Sequence, residues 1–175
     1  MKKIQIGIMG SAADLNYGKD VERFAKKLGK LIAKSGNILV YGAEKEYSSI
    51  STNAAIEASK NNGITVGITG GTKKEIWGDF RPTVLIPTGL GIGGGREYTL
   101  VLSCDVIIAI SGGSGTLNEI AVAYQAGIPI VVVDKFGGWA SKLSGEYLDD
   151  RNRLKCINAS TPEEALDLAI SLTNK

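Results

Sequence analysis

Apolar residues follow two alternating rhythms along this chain. Short, mainly apolar runs at 4–9, 37–41, 64–68, 83–87, 105–110 and 128–133 have the length and β-branched content of buried strands. Stretches at helical spacing lie between most of them. Across 19–35 the positions Val21, Phe24, Ala25, Leu28, Leu31 and Ile32 mark one helical face, and Gly36 stops it. Residues 50–61 read as an alanine-rich helix ended by Asn62-Gly63, 96–103 as a short helix, and 115–126 as a helix closed by Gly127. The segment 161–173 predicts a last helix, with Thr161 as N-cap and Pro162 in the first turn. Residues 70–81 are polar and irregular, 136–152 predict loop and short helix, and 153–158 predict a final strand.

Strands alternating with helices predict an α/β, Rossmann-like fold: a doubly wound, mainly parallel sheet of six or seven strands with helices on both faces. The 175 residues, 43% of them apolar, make one domain spanning 1–175. In such sheets ligands bind beyond the carboxyl ends of the strands, where the strand order reverses. The turns after strands are therefore where chemistry is expected: Gly10-Ser11, Gly42 onward, 89–96, 111–116 and 134 onward.

Composition narrows the chemistry. A net charge of +2 gives no basis for nucleic-acid or membrane binding, so any phosphate site must be local. Histidine is absent, which removes Ser-His-Asp and Cys-His catalysis and makes zinc sites improbable; no metal site is expected. Cys104 and Cys156 lie in or beside apolar runs without CxxC spacing and read as buried structural thiols. The polar start and the lack of a membrane-length apolar run point to a cytoplasmic protein.

The segment Ser111-Gly112-Gly113-Ser114-Gly115-Thr116 joins the most continuous β-branched run to a helix. Glycine at 112, 113 and 115 lets backbone amides approach a ligand closely, and the helix N-terminus adds unpaired donors and partial positive charge. Ser114 and Thr116 add hydroxyls. The loop lacks the Gly-Lys-Ser/Thr ending of a Walker A motif. Thr116-Leu117-Asn118-Glu119 also fits a capping box, in which Glu119 would serve only the backbone.

Residues 89–94 match GxGxxG as a string, but no acidic residue follows about twenty positions on at the end of a convincing strand. A dinucleotide site is therefore disfavoured. The run ends in Gly94, Gly95 and Arg96, a bare backbone delivering one guanidinium, as a phosphate clamp would.

The order of these elements, with glycines leading into Arg96 and then Gly112-Gly113-Ser114-Gly115-Thr116-Leu117-Asn118-Glu119, resembles the LONELY GUY and "lysine decarboxylase-like" group. Gly-Thr-Leu-x-Glu-Ile followed by Gly-Ile-Pro-Ile-Val-Val-Val is closer to the branch holding molybdenum cofactor carrier proteins. The resemblance implies a Rossmann-like fold, a homodimer or homotetramer, and a site for a nucleoside monophosphate-like or molybdopterin-type ligand, with no cofactor required for catalysis. It implies binding positions at Gly10, Ser11, Gly42, Gly94, Gly95, Gly112, Gly113, Ser114, Gly115 and Thr116. In the LONELY GUY enzymes such a site hydrolyses the N-glycosidic bond of a nucleoside 5′-monophosphate; Glu119 and Arg96 match the catalytic pair by motif position. It does not imply a lysine decarboxylase. Three departures stand out: Glu97 where a lysine commonly follows the arginine, Ser111 where the loop motif opens with proline, and Gly42-Ala43-Glu44-Lys45-Glu46-Tyr47-Ser48-Ser49 in place of a glycine run followed by Leu-Met.

Overall fold

Strand β1 (Gln5–Gly10) is followed by helix α1 (Lys19–Lys34), β2 (Ile38–Gly42), α2 (Ile50–Lys60), β3 (Ile64–Thr69) and β4 (Val84–Pro87). Then come α3 (Arg96–Leu102), β5 (Val106–Ile110), α4 (Ser114–Ala126), β6 (Ile130–Val133), α5 (Gly138–Lys142), β7 (Ile157–Asn158) and α6 (Pro162–Thr173). This computed structural model describes residues 3–174. The seven strands form one sheet in the order β4-β3-β2-β1-β5-β6-β7, with each neighbouring pair parallel. The chain builds outward from β1 to β4, then crosses back to place β5 on the other side of β1. The strand order reverses there, and the carboxyl ends of the two strands lie level, with Gly10 paired to Ile110.

The predicted helical face of α1 packs onto one side of the sheet. Val21, Phe24, Leu28 and Ile32 are buried with Ala54, Ala55 and Ala58 of α2 and Ala165 and Ala169 of α6. Helices α3, α4 and α5 cover the other side, burying Leu100, Val101, Ile120, Ala123, Tyr124 and Ala140. Every residue of β5 and β6 is buried, which accounts for their unbroken apolar sequences. Thr161 caps α6 by accepting from the Glu164 amide at 3.1 Å, with Pro162 as its first residue.

Three local expectations shift. The last strand shrinks from 153–158 to Ile157–Asn158, because the Cys156 amide donates to the Glu146 carbonyl and Lys155 bridges Tyr147, so this stretch pairs with the preceding loop. The glycine run forms a π-helical turn over Gly91–Gly95 that continues into α3. Helix α4 starts at Ser114 with Gly113 as its N-cap and no side-chain cap, so Thr116 sits inside the first turn and the capping box does not form. Among the described residues, no helix is long and apolar enough to cross a membrane.

Candidate functional site

Three turns meet where the strand order reverses. The turn after β1 is stitched to the one after β2, with the Ala13 amide donating to Ser48 and the Ile50 amide donating to Ser11, both at 3.0 Å. The turn after β5 closes the third side. The Ser11 hydroxyl accepts the Gly112 amide at 2.9 Å and donates to the Ser111 hydroxyl at 3.2 Å. Ser111 adopts a left-handed φ of 56°, an unusual conformation for a residue with a side chain. From below, the Trp139 and Ala140 amides donate to the Gly112 and Ser111 carbonyls at 3.0 and 2.9 Å. Gly138 makes that approach feasible, since a Cβ there would stand 2.5 Å from the Ser111 carbonyl carbon.

A cavity of about 550 Å³ opens between these turns. Among the predicted site residues, Gly10, Ser11, Gly42, Arg96, Gly113, Ser114, Gly115, Thr116 and Glu119 line it. Gly94, Gly95 and Gly112 do not. Gly93 takes the lining place in the glycine run, and the Gly112 amide is already committed to Ser11. The start of α4 carries no side-chain cap and borders the cavity, so the N-terminal end of this helix is the part of the loop turned toward it.

Arg96, the first residue of α3, points into the opposite wall and is 6% exposed. Gly42 makes room for it, because a Cβ on Gly42 would collide with Arg96 Nη1. Three carboxylates surround the guanidinium. Glu44 Oε1 lies 2.6 Å from Nη2, Glu97 Oε1 lies 3.2 Å from Nη2, and Glu119 Oε1 lies 3.6 Å from Nη1. All four side chains are buried. Removal from water pushes the Glu119 carboxyl up to about 8; the charges of Glu97 and Glu44 push the same way, and Arg96 opposes them. Burial likewise raises Glu44, again against Arg96. Burial thus favours the neutral form of Glu119 far more than in an ordinary carboxyl, and its contact to the arginine is the longest of the three.

The cluster is not internally satisfied. Arg96 Nε and Glu97 Oε2 have no hydrogen-bond partner, whereas Glu44 Oε1 is held in an ion pair with the guanidinium. Glu97 Oε1 accepts the Gly93 amide at 3.0 Å, anchoring the π-helical turn. Glu44, Glu97, Tyr47, Ser49 and Ser51 line the cavity without having been singled out as site residues. Glu44 also lines a second cavity of about 500 Å³ with 69–73. The sequence signal for Glu44 and Glu97 was their place in two of the departures from the family pattern. Among the described residues, no group of three or more His, Cys, Asp or Glu is arranged to hold a metal ion.

A doubly wound parallel sheet with this loop, arginine and glutamate around its switch point defines a Rossmann-like protein of the LONELY GUY superfamily, in the branch close to molybdenum cofactor carriers. The chain belongs to the SLOG cluster4 family, whose profile matches residues 3–166. It is similar to TM1055, whose crystal structure superposes with a TM-score of 0.85 at 26% identity, covering 97% of this chain and 99% of that one. It is similar to the molybdenum cofactor binding protein of the phototrophic bacterium Rippkaea orientalis, with a TM-score of 0.81 and 29% identity over 98% of each chain. The Moco carrier protein of Chlamydomonas reinhardtii superposes with a TM-score of 0.76 at 27% identity, covering 99% of this chain and 100% of that one.

Proposed function

We propose that this protein binds a small phosphorylated ligand of the molybdopterin or nucleoside monophosphate type and acts as a carrier-like binding protein. One observation carries the reading: the uncapped α4 N-terminus and the incompletely satisfied Arg96 cluster line the same cavity. The amides of 113–116, with the Ser114 and Thr116 hydroxyls, would hold the phosphate. The ring system would extend toward Arg96, Glu44 and Glu97. A molybdopterin has a terminal phosphate at one end and a pterin with N–H donors at the other, so these two kinds of wall fit it. Two of the similar structures are named as binding or carrying the molybdenum cofactor, which supports the same class of ligand. When bound, that group would supply a dithiolene-held metal; the chain's own residues would hold its phosphate and ring and shield it from water.

Thermal shift with a panel of phosphorylated ligands tests this. A ligand at one hundred times its Kd adds about 2.7 kcal/mol. For a chain of this size that raises Tm by roughly 5–10 °C. No stabilisation by any phosphorylated ligand would overturn the proposal.

A second reading rests on Glu119. A carboxyl pushed up to about 8 by burial beside an arginine is suited to protonate a departing base, as hydrolysis of a nucleoside 5′-monophosphate would require. Release of free base by wild type but not by Glu119→Gln would select this reading. Equal release by both would remove it.

Self-association belongs to the same proposal. Tyr98 and Leu102, one turn apart on α3, are exposed, as are Val84 and Ile86 on the edge strand β4. A second copy of this chain would cover such a surface in a homodimer or homotetramer. Light scattering that finds only monomer at micromolar concentration would refute it.

A further inference from the structure

Resting on the binding reading above, we infer that Leu15 is the apolar cover of this site. It closes on the carbon skeleton next to a bound phosphate, so the cavity takes phosphate esters in preference to inorganic phosphate. Leu15 ends the short 3-10 turn Ala13–Leu15 in the connection after β1, and it is 55% exposed. Singly exposed leucines are ordinary on protein surfaces. Three observations set this one apart.

Leu15 lines the cavity together with Ser114, Gly115 and Thr116 of the first turn of α4. It also lies directly against the start of that helix. A Cβ on Gly113, the N-cap residue, would stand 2.9 Å from Leu15 Cδ1, so the bare backbone at 113 is what gives the leucine its place. Its position, finally, is fixed by main chain. The Leu15 amide donates to the Ala12 carbonyl and the Asn16 amide to the Ala13 carbonyl, both at 3.1 Å. The Ala13 amide ties the same turn to the Ser48 carbonyl at 3.0 Å. Asn16 closes the turn in a left-handed conformation, φ 49°, which asparagine adopts more readily than most residues. The chain thus holds an apolar side chain at the mouth of a cavity instead of folding it into the core. A phosphate at the α4 start would bring the carbon it is esterified to beside Leu15. Covering the exposed half of the leucine with that carbon is favourable, whereas inorganic phosphate offers it only strongly hydrated oxygens.

Calorimetric titration of the full chain with AMP, ribose 5-phosphate and inorganic phosphate tests the inference, on wild type, Leu15→Asn and Leu15→Met. Burying about half of a leucine side chain corresponds to roughly 3- to 10-fold in affinity. Leu15→Asn should weaken AMP and ribose 5-phosphate by about that factor and leave inorganic phosphate unchanged. Leu15→Met, which keeps an apolar contact, should bind all three as wild type does. The ligand-free Tm of both variants should stay within about 2 °C of wild type, because an exposed side chain contributes little to folding. Equal binding of the two esters by wild type and Leu15→Asn would overturn the cover and leave the phosphate site standing. So would an equal loss of all three ligands, which would mean that Leu15 acts through the loop. Failure of wild type to bind any of the three would overturn the phosphate site itself, and the inference with it.

Discussion

The Ser11 hydroxyl accepts the Gly112 amide at 2.9 Å, joining the turn after β1 to the turn after β5 across 101 residues of sequence. The bond is buried, and it explains how Ser111 can be held in a left-handed conformation just before the α4 N-terminus. Ser11→Ala would leave a buried amide without a partner. The expected cost is about 1–3 kcal/mol. In a chain of this length each kcal/mol lowers Tm by roughly 2–4 °C. The stabilisation conferred by phosphorylated ligands should fall as well, because the amides of 113–116 follow directly from the tethered residue. Thermal unfolding with and without ligand reads both effects, and an unchanged Tm would show that the bond contributes nothing.

Gly42 and Arg96 are fitted to one another. A methyl group at 42 has no room beside Nη1, so Gly42→Ala should displace the guanidinium from Glu44. Overpacking of this kind costs about 1–3 kcal/mol. In an Arg96→Met background the same substitution should cost much less, because the colliding atom is gone. Urea unfolding of the two single variants and the double variant measures the coupling. Additive costs would mean that Gly42 is required for some other reason.

Both cysteines should be inert in the folded chain. Burial pushes the Cys156 thiol up to about 11 and the Cys104 thiol higher still, so little reactive thiolate exists at pH 7–8. The Cys104 thiol also donates to the Leu100 carbonyl at 3.2 Å. Maleimide labelling read by mass should modify neither residue under native conditions and both in denaturant. Fast native labelling of either would mean that the region opens readily.

The sheet was legible in the sequence because its strands are short apolar runs and its helices carry regular apolar faces. The alternation alone placed Arg96 and Glu119 at the carboxyl ends of strands. What it hid was long-range pairing. Nothing local marks Ser11 as the partner of Gly112, or Glu44 as the nearest carboxylate to Arg96, 52 positions away. Glu119 resembled a cap residue because its spacing from Thr116 satisfies that pattern. The helix instead begins two residues before Thr116, which turns Glu119 into the cluster. The short final strand was overread because residues 153–156 alternate like a strand while their backbone pairs with a loop.

Glu119 should give stability a distinct pH dependence. Its carboxyl titrates near 8 in the folded protein, because it is buried and has Glu97 and Glu44 nearby, with only Arg96 opposing. In the unfolded chain it titrates near the ordinary 4.5. Between those values the folded state holds a proton that the unfolded state has released, so this group's contribution is complete below pH 4.5 and is lost as pH rises through about 8. Glu119→Gln keeps the shape of the neutral acid and does not titrate. Glu44 is raised in wild type and variant alike, so it largely cancels in the difference between them. The stability of the Gln variant relative to wild type should therefore climb between pH 5 and pH 8, at a slope of up to about 1.4 kcal/mol per pH unit. Above pH 8 the difference should level off. Urea midpoints at pH 5, 7 and 9 give the comparison. Parallel stability profiles for the two proteins would show that Glu119 is ionised in the folded state, and would remove the acid on which the hydrolytic reading depends.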